Sequence, residues 1–266
     1  MTTRNASFQQ WQALLTNRAK RQRAGEFLVQ GVRPITLAAE YGWEIRTLIY
    51  SDRAALSSWA RDLLSATGAQ RVAMAPELVA ELAGKDSAEL TAVVGLPDEA
   101  ELGSLPADPH LLVVVFDRPS TPGNIGTIVR SADAFGASAV IITGHAADPF
   151  DPQSVRASTG SLFALPVLRA DSHREVLSWV AGLRAAGLPV RVAGTDEHGT
   201  AELAAYDLTG PHVVVIGNET GGLSAGWREA ADVLLRIPIT GAASSLNAAA
   251  AATVVLYEAV RQRSHQ

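Results

Sequence analysis

The chain has 266 residues, 47% hydrophobic and 18% charged, enough for one large domain or two modest ones and too apolar for a disordered chain. It has no cysteine, which excludes disulfides, thiolate zinc sites, iron–sulfur clusters and cysteine nucleophiles. The net charge of −5, read as an average, points away from nucleic acid. The charge is uneven, however. Residues 1–33 carry Arg4, Arg18, Lys20, Arg21, Arg23 and Arg33 against Glu26 alone, a net of +5 beside −10 for the remainder. Most of these cations are arginines, whose planar donor forks suit phosphate and base edges.

The N-terminus, MTTRNASFQQWQALL, has no apolar h-region, and no stretch approaches the roughly 18 apolar residues of a spanning helix. The expected compartment is therefore the cytoplasm, with no membrane partner. FLVQGV (27–32) reads as a strand and the segment after Pro34 as a helix. RTLIY (46–50) is a second strand. The helix predicted over 54–66 places Leu56, Trp59, Leu63 and Leu64 on one face. RVAMA (71–75) is a third strand, and PELVAELAG (76–84) a helix with Pro in its first turn and Gly at its end. TAVVGLP (91–97) is a fourth strand. The polar, proline-bearing stretch 98–109 reads as a linker, giving domains at 1–105 and 106–266. Beyond it, LLVVVFD (111–117), AVIITG (139–144), PVRVAGTD (189–196), HVVVIGNE (212–219) and LLRIPI (234–239) are near-continuous Val/Ile/Leu runs. Such runs predict an α/β fold with a parallel sheet covered on both faces.

Ligands of open parallel sheets bind beyond the carboxyl ends of strands. Four loops there are unusual. In FDRPSTPGNIGTIVRSADAFG (116–136), Gly123 and Asn124 turn the chain into a helix that carries Arg130. GTDEHGT (194–200) groups Asp196, Glu197 and His198, but contiguous residues rarely converge on one ion and no HxH or HExxH spacing is present. A polar loop is the expectation there, and no metal is expected. IGNETGGLS (216–224) is a Gly-rich turn holding Glu219, where backbone can approach a ligand closely. In IPITGAASSLNAAAAATVVLYEAV (237–260), Ser244 or Ser245 can cap a helix, with Asn247 assisting. Taken singly, each loop also reads as an ordinary turn, a helix cap or a solvated charge. No GxGxxG follows a strand and no GxxxxGK[ST] is present, which argues against a nicotinamide-dependent oxidoreductase.

In order, PGNIGTIVR (122–130), IGNETGGLS and IPITGAASSLNAAAAATVVLYE (237–258) resemble the three motifs of the SpoU/TrmH (SPOUT) family of RNA 2′-O-ribose methyltransferases. NASFQQWQALLTNRAKRQRAGEFLVQGVRPI (5–35) and GHAADPFDPQSVRASTGSLFALP (144–166) extend the resemblance to an antibiotic-resistance branch acting on 23S rRNA. Residues 27–97 resemble the small ribosomal-protein-like α/β substrate domain of that family. The resemblance implies a deep trefoil knot, S-adenosyl-L-methionine as cofactor and a homodimer. It implies a catalytic set of Asn124, Arg130, Glu219, Ser245 and Asn247, and a cofactor pocket at Gly194, Thr195, Gly217, Ile237 and Leu246.

Within that reading Arg130 is the activator of the 2′-hydroxyl, as base or as electrostatic stabiliser. Asn124, Ser245 and Asn247 orient it and the ribose, and Glu219 orders its loop. Arg18, Lys20, Arg21, Arg23 and Arg33, with Arg156, are the RNA-binding candidates. Thr121 stands where an Asp is common in the family, and Ala248–Ala249 where Val-Ser is more usual. The alternatives are a tRNA 2′-O-ribose methyltransferase and a non-catalytic RNA-binding protein of the same fold.

Overall fold

The computed structural model describes residues 1–53, 55–84 and 89–264; Ala54, the first residue of the predicted 54–66 helix, and Lys85 lie outside them. In chain order the elements begin with α1 (Ala6–Thr16), α2 (Arg18–Ala24), β1 (Glu26–Gln30), α3 (Val32–Glu40), β2 (Ile45–Ser51), α4 (Ser58–Ala66), β3 (Gln70–Met74), α5 (Pro76–Ala83) and β4 (Leu90–Gly95). Next come β5 (Leu112–Asp117), α6 (Pro122–Ala134), β6 (Ala139–Thr143), α7 (Pro152–Ser158), α8 (Ser161–Ala164), β7 (Val167–Ala170) and α9 (His173–Ala185). The chain closes with β8 (Arg191–Thr195), β9 (Ala201–Glu202), β10 (His212–Ile216), α10 (Ala225–Ala230), β11 (Val233–Arg236) and α11 (Ala248–Arg263).

These elements form two compact units, one of Met1–Asp98 with Asp148–Ala164, the other of Glu99–Ala147 with Leu165–Gln266. The first has a four-stranded sheet in the order β1-β4-β2-β3. The central β4 runs antiparallel to β1 and β2, while β2 and β3 are parallel. Phe8, Trp11 and Leu14 of α1 pack with Leu78 and Leu82 of α5 against Leu28, Ile49 and Val93. A second cluster decides the unit's membership. Phe150 lies 5.0 Å from Phe27 between ring centroids, and Phe163 stands edge-on to Trp43 at 5.1 Å. The Trp43 Nε1–H also donates to the Phe163 carbonyl at 3.1 Å. Burying these aromatics draws 148–164 into the first unit, whereas the sequence reading places them with 106–266.

The basic stretch folds as α1 and α2. Asn5 and Asn17 each accept a main-chain N–H with their side chains and cap α1 and α2. Arg21 is a correction to the RNA-binding set. It is only 2% exposed. Its guanidinium donates to Asp148 at 2.8 Å, to the Leu14 carbonyl at 2.7 Å and to Asp151 at 3.4 Å. α2 turns this position inward, and a buried cation must be paired. Arg21→Ala leaves both carboxylates without their partner. Allowing for screening at their partly exposed oxygens, a loss of about 2 kcal/mol is expected in urea unfolding.

The second unit has a seven-stranded, wholly parallel sheet, β7-β6-β5-β10-β8-β11-β9, as the Val/Ile runs predict. Every residue of β5, β6 and β10 is buried. One core cluster joins Val113, Val115, Ile141, Val213 and Val215 to Val176 and Val180 of α9 and Trp227 of α10. Because all strands are parallel, the loops leaving β5, β8, β10 and β11 open on one edge of the sheet.

Candidate active site

The loop after β5 and the turn after β10 meet on Glu219. Its carboxylate accepts the Ser120 amide at 3.0 Å, the Ser120 hydroxyl at 2.9 Å and the Thr121 amide at 3.1 Å. It also accepts the side-chain amides of Asn124 at 3.0 Å and Asn218 at 3.3 Å. Burial pushes the carboxyl pKa up, but the Ser120 amide, the Asn124 side chain and the other donors outweigh it and hold the group at about 2. At neutral pH Glu219 is therefore an ionised acceptor.

The terminal segment joins the same assembly. The Asn247 side-chain amide donates to Asn124 Oδ1 at 3.1 Å, while the Asn124 side-chain N–H donates onward to Glu219. The Asn247 Oδ1 accepts the amides of Ala249 and Ala250 at the start of α11. Asn247 is thus the helix cap, and Ser244 and Ser245, the caps expected from sequence, precede it. The relay Asn247–Asn124–Glu219 links all three motifs and fixes the orientation of both amides. Ser131 and Thr253 add a 2.8 Å hydroxyl contact between α6 and α11.

Two members of the candidate set stand outside this relay. Arg130 is exposed on α6, about 9 Å along the helix from Asn124. No hydrogen bond or ion pair reaches its guanidinium among the described residues. Ser245 is exposed on the wall of an adjoining cleft.

That cleft has a volume of about 280 Å³. Ile216, Leu235, Ile237, Ile239 and Leu246 give it apolar walls, and the 217–222 turn gives it a main-chain wall. Of the residues that the resemblance assigns to the cofactor, Thr195, Gly217, Ile237 and Leu246 line it. Gly194 is not part of the lining; a Cβ there would lie 2.8 Å from Leu223 and 3.0 Å from Leu234. Its smallness serves packing beneath the cleft. A Cβ on Gly217 would meet the Gly222 carbonyl carbon at 2.4 Å, so only glycine lets the turn close on itself. Asp196 and Glu197, read from sequence as a plain polar loop, also line the cleft; Asp196 is held by Arg228 at 3.1 Å.

Sequence reasoning missed a second set of contacts between the same loops. Buried Asp117 accepts the Ser224 amide at 2.9 Å and the Thr143 hydroxyl at 3.3 Å. The Asn218 side chain donates to the Arg118 carbonyl at 2.7 Å. The signal was an acid closing a wholly apolar strand, since a buried carboxylate needs donors.

Residues 5–92 match the SpoU L30e-like domain, and residues 111–257, more than half of the chain, match the SpoU rRNA methylase family. The chain belongs to the SpoU rRNA methylase family. It is 57% identical over 265 residues to the 23S rRNA (uridine(2479)-2′-O)-methyltransferase of Streptomyces viridochromogenes, covering 99% of this chain and 92% of that one. It is 28% identical over 256 residues, 96% of each chain, to the 23S rRNA (guanosine(2553)-2′-O)-methyltransferase of Bacillus subtilis. The crystal structure of the SpoU methyltransferase AviRb from S. viridochromogenes in complex with AdoMet superposes with a TM-score of 0.93 at 56% identity, covering 98% of each chain. The relay and the cleft both fall within the part matched to the SpoU methylase family, and β1, β2 and β3 of the first unit's sheet within the L30e-like part.

Proposed function

We propose that this SpoU enzyme methylates a ribose 2′-hydroxyl of RNA with S-adenosylmethionine as donor, and that its substrate is 23S rRNA. The observation that carries the reading is the Asn247–Asn124–Glu219 relay beside the apolar, backbone-walled cleft. The cleft fits the cofactor: Ile216, Leu235, Ile237 and Leu246 suit the faces of a purine, and the 217–222 main chain suits its polar edges. When bound, S-adenosylmethionine supplies an electrophilic methyl group on a positively charged sulfur.

The chain's own residues then have three tasks: to orient the ribose, to hold charge on its 2′-oxygen and to exclude water. Asn124 and Asn247, each fixed at both ends, present preset polar atoms to the ribose. Glu219, ionised, keeps the loops at their separation. Arg130 supplies fixed positive charge to the 2′-oxygen as its proton is released to solvent and the oxygen bonds the methyl carbon. A guanidinium, which keeps its charge in proteins, serves better as electrostatic stabiliser than as base. Ser245 orients the ribose from the cleft side.

The homodimer and the knot are part of the proposal. Val254 and Tyr257 are 38% and 58% exposed on α11, an apolar surface that a second copy would cover. β10 lies between β5 and β8 while α11 returns from β11 to α6, an order that suits a threaded C-terminus. Among the described residues no helix is long and apolar enough to cross a membrane. A cytoplasmic enzyme acting on ribosomal RNA accords with that. Resistance to a ribosome-targeting drug would follow where the modified ribose lies in a drug site.

For RNA contact, exposed Lys20, Arg23, Arg33 and Arg156, with half-buried Arg18, remain the candidates. Replacing Lys20, Arg23 and Arg33 with Gln should flatten the salt dependence of RNA binding, by roughly 0.7–0.9 in slope for each phosphate that is no longer neutralised. An unchanged slope in filter-binding titrations would remove them from the interface. The substrate itself is tested by transfer of labelled methyl to unmodified rRNA and tRNA in parallel. The reading expects incorporation into 23S rRNA; incorporation into tRNA alone would replace it with the tRNA alternative. A chain that binds S-adenosylmethionine but modifies neither would be a non-catalytic RNA-binding relative.

A further inference from the structure

We propose that Arg118 is a positioning residue that clamps the Gly-rich turn against the end of β5 and thereby holds the main-chain wall of the cofactor cleft. The inference rests on the reading of that cleft as the S-adenosylmethionine site. It starts from a conformational anomaly. Arg118 has a φ of +51°, in the left-handed region that side-chain-bearing residues avoid. Glycine would take this conformation without strain. Only Thr159 shares a positive φ among the described non-glycine residues, and it ends a helix. An arginine kept where glycine fits best points to work done by its side chain.

The contacts show that work. The backbone of Arg118 is fixed on both sides, its N–H donating to the Thr143 carbonyl at 3.1 Å and its carbonyl accepting Asn218 at 2.7 Å. The side chain runs over Gly144, where a Cβ would stand 3.1 Å from the Arg118 Cγ. Its Nε donates to Asp117 at 3.2 Å and its Nη2 to the Gly222 carbonyl at 3.3 Å. Gly222 closes the turn through paired 3.0 Å main-chain hydrogen bonds with Asn218, and Gly217 packs directly on it. Gly217, Gly221 and Gly222 all line the cleft. The left-handed turn at Arg118 is what aims the guanidinium back at the glycines. The same residue therefore carries both the strain and the clamp.

Substitution separates the two. Arg118→Gly removes strain and clamp together; Arg118→Ala removes the clamp and keeps the strain. S-adenosylmethionine affinity is measured by calorimetry, and the melting temperature without cofactor is measured on the same full-length proteins. Both variants should bind roughly tenfold more weakly than wild type and by the same factor, while Arg118→Gly melts about 2–4 °C above Arg118→Ala. Wild-type affinity in either variant would overturn the proposal. So would affinity that follows the melting temperature, because the residue would then act only through stability. Failure of the wild-type protein to bind S-adenosylmethionine would instead overturn the reading of the cleft.

Discussion

Arg130→Ala should bind S-adenosylmethionine as the wild type does and lose methyl transfer by a factor of roughly 10²–10³. The two halves of this result have separate structural causes. Arg130 is exposed on α6 and lines no part of the cleft, so its loss leaves the Ile216–Leu246 walls and the 217–222 turn untouched. The proposed role is confined to the acceptor side, where a guanidinium held near the ribose lowers the energy of a 2′-alkoxide. Oxygen without that charge is a poor nucleophile at neutral pH, and no neighbouring cation in the Asn124–Glu219–Asn247 relay replaces it. Arg130→Lys keeps the charge but not the planar fork and should recover part of the rate. Calorimetry and single-turnover methyl transfer read the two halves separately. Near-wild-type turnover in Arg130→Ala would remove it from the chemistry.

Glu219→Ala should reduce methyl transfer about a hundredfold and lower stability by about 1–2 kcal/mol. Five donors lose their common acceptor, among them the Ser120 and Thr121 amides that start the first motif loop. Asn124 then keeps only its hydrogen bond from Asn247 and is free to rotate. Misplacement of reacting groups by about 1 Å is enough for a loss of that size. The stability figure is set below the full value of the pKa shift because the carboxylate is partly open to solvent and its charge is screened. The pH dependence has a definite sign. The folded pKa is about 2, below the ordinary value of 4.5. The contribution is therefore fully present above about pH 4.5 and disappears as the pH falls towards 2. Glu219→Ala should flatten that limb of the stability curve, and an unchanged acid limb would contradict the hub. Glu219→Gln preserves shape but turns an amide towards facing donors, so it should rescue little.

Much of the second unit was legible because its strands are buried on both faces. LLVVVFD, AVIITG and HVVVIGNE carry few polar interruptions, and no other element tolerates such runs at that length. β7 escaped notice because it spans four residues and exposes Arg169. Arg21 was misjudged for a different reason. Six cations in 33 residues look solvated as a composition, but helical geometry turns Arg21 inward onto Asp148 and Asp151. Nothing local in the sequence announces a partner 127 residues away. The capture of 148–164 by the first unit has the same origin, since Phe150 and Phe163 find Phe27 and Trp43 only once the chain has folded.

At the site, the motifs offered Asn124, Glu219 and Asn247 as a group but did not show that they form one hydrogen-bonded relay. Gly194 was placed in the pocket by the family resemblance; Leu223 and Leu234 crowd its Cα instead. Arg118 could not have been found from sequence, because a positive φ is inferred from glycine or asparagine and not from arginine.

The position of the transferred methyl tests the central claim most directly. After reaction with labelled S-adenosylmethionine, the RNA is hydrolysed in alkali, which needs a free 2′-hydroxyl to cut each phosphodiester. The relay and cleft predict that the label survives in a single alkali-resistant dinucleotide of 23S rRNA. Label recovered in ordinary mononucleotides, or on a base, would contradict them.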